Sequence, residues 1–116
     1  MNARILALVV VGIALFCVLL IGGLLYMETL YPDCATALAV QPGMTRSEVV
    51  ESLGVFYDDS TPGQYADVDR IVAQMKNSKS IIHICYWRIA HSRDMVWIGF
   101  DANGIVVSTY IEKDNK

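Results

Sequence analysis

Residues 5–27, ILALVVVGIALFCVLLIGGLLYM, carry no charged side chain, and nothing else in the chain narrows its fold as much. As a helix these 23 residues rise about 34 Å, enough to cross a hydrocarbon core of about 30 Å. The run accounts for much of the 54% hydrophobic content, which exceeds that of an ordinary soluble domain. A secretory signal is the competing reading, but its apolar region normally extends about 7–15 residues and ends at a small-residue cleavage site. The Ala35-Thr36-Ala37 match to such a site lies well beyond the run. Processing as a lipoprotein at Cys17 is disfavoured because bulky Leu15 and Phe16 precede it. The sequence therefore reads as a retained transmembrane anchor in contact with the bilayer through residues 5–27.

Arg4 and the amino terminus precede the run, whereas Glu28 and Asp33 follow it and no Lys or Arg occurs before Arg46. That asymmetry places the amino terminus in the cytoplasm and the rest of the chain outside it. Tyr26 and Tyr31 flank the end of the run, where amphipathic rings favour the membrane interface, and Pro32 marks the exit. We divide the chain into an anchor, 1–31, a juxtamembrane connector, 32–40, with a turn of helix at its ATALA stretch, and one small domain, 41–116. From residue 28 onward there are eight Lys or Arg against twelve Asp or Glu, a formal charge of −4. Phosphate contacts require a basic patch, so nucleic acid is not an expected partner.

Within the domain, QPGMTRSEVVESLG (41–54) carries the marks of a short docked helix. Thr45 is an N-cap with Glu48 three residues later, the spacing of a capping box. Met44 and Val49 occupy staple positions, Val49, Val50 and Leu53 form an apolar stripe, and Gly54 supplies a stop with positive φ. VFYDDSTPGQ (55–64) reads as a loop. YADVDRIVAQMKN then repeats the helical period with Val68, Ile71, Val72 and Met75 on one side, and Asp67 and Asp69 complement the dipole of its first turn.

From Ser80 the period changes to two. SIIHICYWRIA, MVWIGFD and IVVSTYIEK, separated by HSRD and by a turn around Asn103-Gly104, read as a three-stranded antiparallel meander. Asp101 and Gly104 suit a turn that sets Phe100 opposite Val106. In that register one face carries Ile81, Cys85, Trp87, Ile89, Val96, Ile98, Phe100, Val106 and Tyr110, the face expected under the helices. The other carries Ile82, Ile84, Tyr86, Arg88, Met95, Trp97, Ile105, Val107, Thr109 and Ile111, too apolar to face water uncovered. The fold class expected is α+β, two short helices on a three-stranded meander behind a single transmembrane helix.

The order Gly43-Met44-Thr45, Glu48, Val49, Leu53-Gly54, Tyr86-Trp87 and Phe100-Asp101 with Gly104 and Val106 resembles the SmpA/OmlA (BamE-like) family of small envelope proteins. The matched pieces span most of residues 41–111. The resemblance implies two helices on a three-stranded antiparallel sheet, no catalysis, and an accessory role in a bacterial cell envelope. With the anchor, it implies a single-pass inner-membrane protein whose domain is periplasmic. Similar folds also act as protein inhibitors that grip an enzyme with a sheet face.

Chemistry-bearing residues are sparse. Cys34 and Cys85 would share the oxidising side of the membrane, and a bridge closing the roughly 50-residue loop between them would stabilise the domain by about 4 kcal/mol. A mid-strand Cys is equally explained as a small buried hydrophobe. His83 and Cys85 stand two apart on a strand, but no second ligand pair occurs at a recognised spacing, so no metal is expected. There is no G-x-S-x-G, C-x-x-C or H-E-x-x-H, and Asp58-Asp59 reads as solvated loop charge; neither an enzyme, a cofactor nor a small-molecule substrate is expected. Tyr86, Arg88, Trp97 and Thr109 are the candidate partner-binding residues, because Arg, Trp and Tyr dominate binding hot spots. A contact that merely shields the sheet, or coverage by the C-terminal tail, explains them too. The function expected is a membrane-anchored interaction module serving a membrane complex, the alternative being a tethered inhibitor or ligand-binding module.

Overall fold

The computed structural model describes residues 2–114, so Met1 of the anchor and the last two residues of the domain, 115–116, lie outside it. Helix α1, Ala3–Thr29, buries none of its residues against the rest of the chain and is long and apolar enough to cross a bilayer. Asn2 caps it by accepting from the Arg4 N–H at 3.0 Å. The segment read as a connector is structured: Asp33 caps helix α2, Cys34–Leu38, and Ala37 and Val40 enter the domain core.

Helix α3, Arg46–Leu53, forms as its capping box directs. The Glu48 N–H donates to Thr45 Oγ1 at 3.2 Å and the Thr45 N–H to Glu48 Oε1 at 3.3 Å. Gly54 ends it at φ +96°, a region that side chains with a Cβ avoid. An isolated eight-residue helix is unstable in water, and docking supplies what is missing. Val49 and Leu53 are fully buried, each contributing about 1.5–3 kcal/mol. The chain before α3 is also pinned, because the Gly43 N–H donates to the Val106 carbonyl at 2.9 Å and the Val106 N–H returns to Met44 at 2.8 Å.

The sheet has four antiparallel strands in the order β1 (Asp58–Ser60), β2 (His83–Arg88), β3 (Met95–Phe100) and β4 (Val106–Glu112). The meander is as expected, and β1 is an additional edge strand inside the stretch read as a loop. Its sequence, Asp-Asp-Ser, has no apolar alternation; pairing with Tyr86, Cys85 and Ile84 makes it a strand. Helix α4, Ala66–Gln74, follows β1, and a 3-10 turn at Ser78–Ser80 leads into β2.

Two expectations about the faces are corrected. The helices do not share a face. Ala37, Val40, Val49 and Leu53 pack on Cys85, Trp87, Ile89, Val96, Ile98, Phe100 and Val106, while Val68 and Ile71 of α4 and Met75 just beyond its end cover Ile84 and Trp97 on the opposite side. A sheet apolar on both faces has to be covered on both, and α4 provides the second cover. Ile81, expected on the first face, joins the α4 layer.

The second correction lies in β4. Phe100 pairs with Val106 as expected, but Gly99 pairs with Ser108, so Val107 is the extra residue of a bulge. A one-residue slip exchanges the faces of everything downstream. Tyr110 therefore turns toward α4, opposite Trp97, and Ile111 toward α3, opposite Val96. Ser108, buried in the α4 layer, accepts from the Lys76 N–H at 3.1 Å and ties the end of that layer to β4.

Candidate functional site

Because β1 extends the sheet beyond β2 and α4 crosses the second face, a cleft of about 580 Å³ opens between them. Its floor is aromatic. Tyr86 and Trp97, direct partners across β2 and β3, stack with ring centroids 4.3 Å apart. Its rim is acidic: Asp58, Asp59, Asp67 and Glu112 line it against the single guanidinium of Arg70. Arg70 is held by Glu112 at 2.7 Å, and that bond raises its pKa above the ordinary value. Burial, followed by the Asp58 carboxylate, raises the Tyr86 phenol, so the floor stays neutral under a negative rim. The Trp97 indole N–H is buried and finds no acceptor among the described residues, a state that ordinarily costs about 1–3 kcal/mol.

The four expected partner-binding residues separate. Tyr86 and Trp97 line the cleft. Trp97 is only 5% exposed, because α4 lies over it. Arg88 pairs with Met95 and turns toward the anchor, donating to Glu28 Oε1 at 3.1 Å and to the Ser92 carbonyl at 3.2 Å. Thr109, displaced by the bulge, stands opposite Ile98 and leaves the face that Tyr86 and Trp97 share. Cys34 is exposed on α2 and Cys85 is fully buried in mid-β2, and both are free thiols, in keeping with the alternative of a small buried hydrophobe at Cys85 rather than a bridge.

Strand β1 also brings Asp59 beside His83 and Cys85, with one ligand atom from each lying within 4.8 Å of the others. The Asp59 carboxylate is already engaged. Arg46 Nη2 donates to Oδ2 at 3.0 Å, His83 Nε2 rests against Oδ1, and Cys85 Sγ approaches Oδ1 at 3.8 Å. Burial, and then the Asp59 charge, push the Cys85 thiol up to about 12, so at neutral pH it is protonated and a poor nucleophile. The trio fastens β1 to β2. The sequence hid this arrangement because three polar residues gave no sign of a strand, and Tyr65, Asp67, Arg70 and Glu112 became neighbours of Asp58 only through it.

No protein family, no curated protein and no solved structure matches this chain.

Proposed function

We propose that this chain is a non-catalytic, membrane-anchored protein–protein interaction module, an accessory or assembly subunit of a bacterial envelope complex related to SmpA/OmlA proteins. Helix α1 is its anchor in the inner membrane, with the amino terminus cytoplasmic and the domain periplasmic. The cleft carries this reading: the Asp58 and Asp67 carboxylates beside a stacked Tyr86–Trp97 floor suit a Lys- or Arg-bearing segment of a membrane-bound partner, Asp59 and Glu112 being paired already with Arg46 and Arg70. Anchoring both proteins in one membrane raises their effective concentration, so a weak contact suffices.

A photo-crosslinking amino acid at Tyr65, exposed at the cleft mouth, tests it in native membranes. One defined integral-membrane partner is expected, its adduct lost on Asp58→Lys and Asp67→Lys substitution. Absence of any adduct, or an adduct indifferent to those charges, would remove the cleft as the contact. The size of the cleft also favours a second reading, a tethered module that takes a soluble ligand or enzyme; a soluble adduct that survives removal of α1 would select it.

A further inference from the structure

The end of the domain that meets the anchor is built differently from the rest of its surface. Glu28, the first charge after the apolar run, accepts from Arg88 Nη2 at 3.1 Å and from the His91 N–H at 2.9 Å. The Ala90 N–H donates to the Pro32 carbonyl at 2.8 Å. A Cβ placed on Gly54 would stand 3.3 Å from the Leu30 carbonyl, so the end of α3 rests directly on the chain leaving α1. Arg88 also lies over the Tyr31 ring at 5.1 Å. The domain is therefore fastened to residues 28–32 from two sides, with no free linker between them.

That fastening fixes depth. Leu30 is three residues beyond Met27, a rise of about 4.5 Å, and the headgroup layer extends about 5–7 Å on each side of the hydrocarbon core. Val55 and Phe56 follow Gly54 directly, are 70% and 52% exposed, and share a groove with Tyr31 and Arg88. Arg93, whose guanidinium stands 3.8 Å from the Asp114 carboxylate, lies in the β2–β3 turn whose backbone holds Glu28. An aliphatic and an aromatic side chain exposed at headgroup depth suit the tops of the acyl chains.

Resting on the reading of α1 as an anchor, we infer that the Val55–Phe56 loop inserts into the interface of the bilayer that α1 spans. The domain is then held in one orientation on the membrane, with the Asn103 turn at the far end of β3 pointing away. The six residues of β3 place that turn about 20 Å further out.

The test uses full-length protein in phosphatidylethanolamine/phosphatidylglycerol vesicles, with Cys17 and Cys34 replaced by Ala and Cys85 left buried. An environment-sensitive fluorophore is placed on Val55→Cys or, as control, on Asn103→Cys. The expected result is a blue-shifted emission at position 55, quenched by nitroxide lipids labelled near the headgroup, and an aqueous, unquenched emission at 103. Equal aqueous spectra at both positions in protein that floats with the vesicles would overturn the inference and leave the anchor intact. A blue shift that lipid nitroxides fail to quench and that disappears on diluting protein in lipid would overturn it in favour of a second copy as the occupant. Protein that fails to float would overturn both readings.

Discussion

The indole Nε1 of Trp87 donates to the main-chain carbonyl of Gly54 at 2.9 Å, joining mid-β2 to the residue that ends α3. Trp87 is fully buried and packs on Tyr57 with ring centroids 4.7 Å apart. Trp87→Phe removes the donor and part of the ring, so the Gly54 carbonyl loses its partner and a void opens beside Tyr57. The expected loss is about 2–3 kcal/mol. For a domain of this size that corresponds to a Tm lower by about 8–24 °C, read by near-ultraviolet circular dichroism in mild detergent. A change below about 0.5 kcal/mol would show that the bond contributes little.

The two thiols outside α1 differ in access. Cys34 is expected to react promptly with maleimide in native protein, and Cys85 only after unfolding, with no Cys34–Cys85 bridge in protein taken from an oxidising compartment. Since Cys85 is raised from its ordinary 9.0 to about 12, the folded state keeps a proton that the unfolded state releases between those values. Stability is thus expected to fall as pH rises across that window and to be unaffected by Cys85 below it, with a slope of up to about 1.4 kcal/mol per pH unit. Comparing wild type with Cys85→Ala isolates this component from the other groups titrating there; parallel profiles would show that the thiol is not held.

The elements that declare themselves in the sequence are those set by local rules. The Thr45–Glu48 box, the Gly54 stop, the 3.6-residue period of Val68, Ile71 and Met75, and the Asp101–Gly104 turn each need only neighbouring residues. In that turn the Asp101 carboxylate accepts from the Asn103 and Ile105 N–H groups, at 2.8 and 3.0 Å, and fixes the Phe100–Val106 pairing. What stayed hidden depends on distant partners. Strand β1 exists because β2 offers an edge to Asp58–Ser60, and the bulge at Val107 exchanges the faces of Thr109, Tyr110 and Ile111 with no composition signal. The cleft follows from both, so Tyr86 and Trp97 were legible as notable residues and the acidic rim above them was not.

The fastening of β1 can be loosened without unfolding the sheet. Arg46 reaches Asp59 at 3.0 Å and the Tyr57 hydroxyl at 3.3 Å, while its guanidinium stands 5.9 Å from the centroids of both Tyr57 and Phe100. The bond to Tyr57 leads in raising the guanidinium pKa. The pair is more than a third exposed, so solvent screening limits Asp59→Asn to about 0.5–1 kcal/mol. Arg46→Ala also loses contact with two rings and is expected to cost about 1–2 kcal/mol, with Arg46→Lys a poor rescue because a point charge cannot replace the planar fork. Hydrogen exchange should locate the effect, with the Asp58–Ser60 amides exchanging faster in both variants and those of β3 unchanged. Uniform acceleration across the sheet would mean that the cluster supports the whole domain.

Gly99 is the residue at which β3 meets the bulge, and the space a side chain would need there is already filled. A Cβ at Gly99 would stand 2.7 Å from Ile81 Cδ1 and 2.8 Å from its Cγ1, and Ile81 is itself buried in the α4 layer. Gly99→Ala should therefore force Ile81 out of its rotamer and cost about 1–3 kcal/mol by overpacking. Ile81→Ala alone should cost about 2–5 kcal/mol through the cavity it leaves. In the double variant the new methyl occupies part of that cavity, so the combined loss should be smaller than the sum of the two, by about 0.5–3 kcal/mol of coupling. Urea unfolding of the four proteins measures this cycle. Strict additivity would mean that Gly99 is required for the backbone shape of the bulge rather than for room beside Ile81.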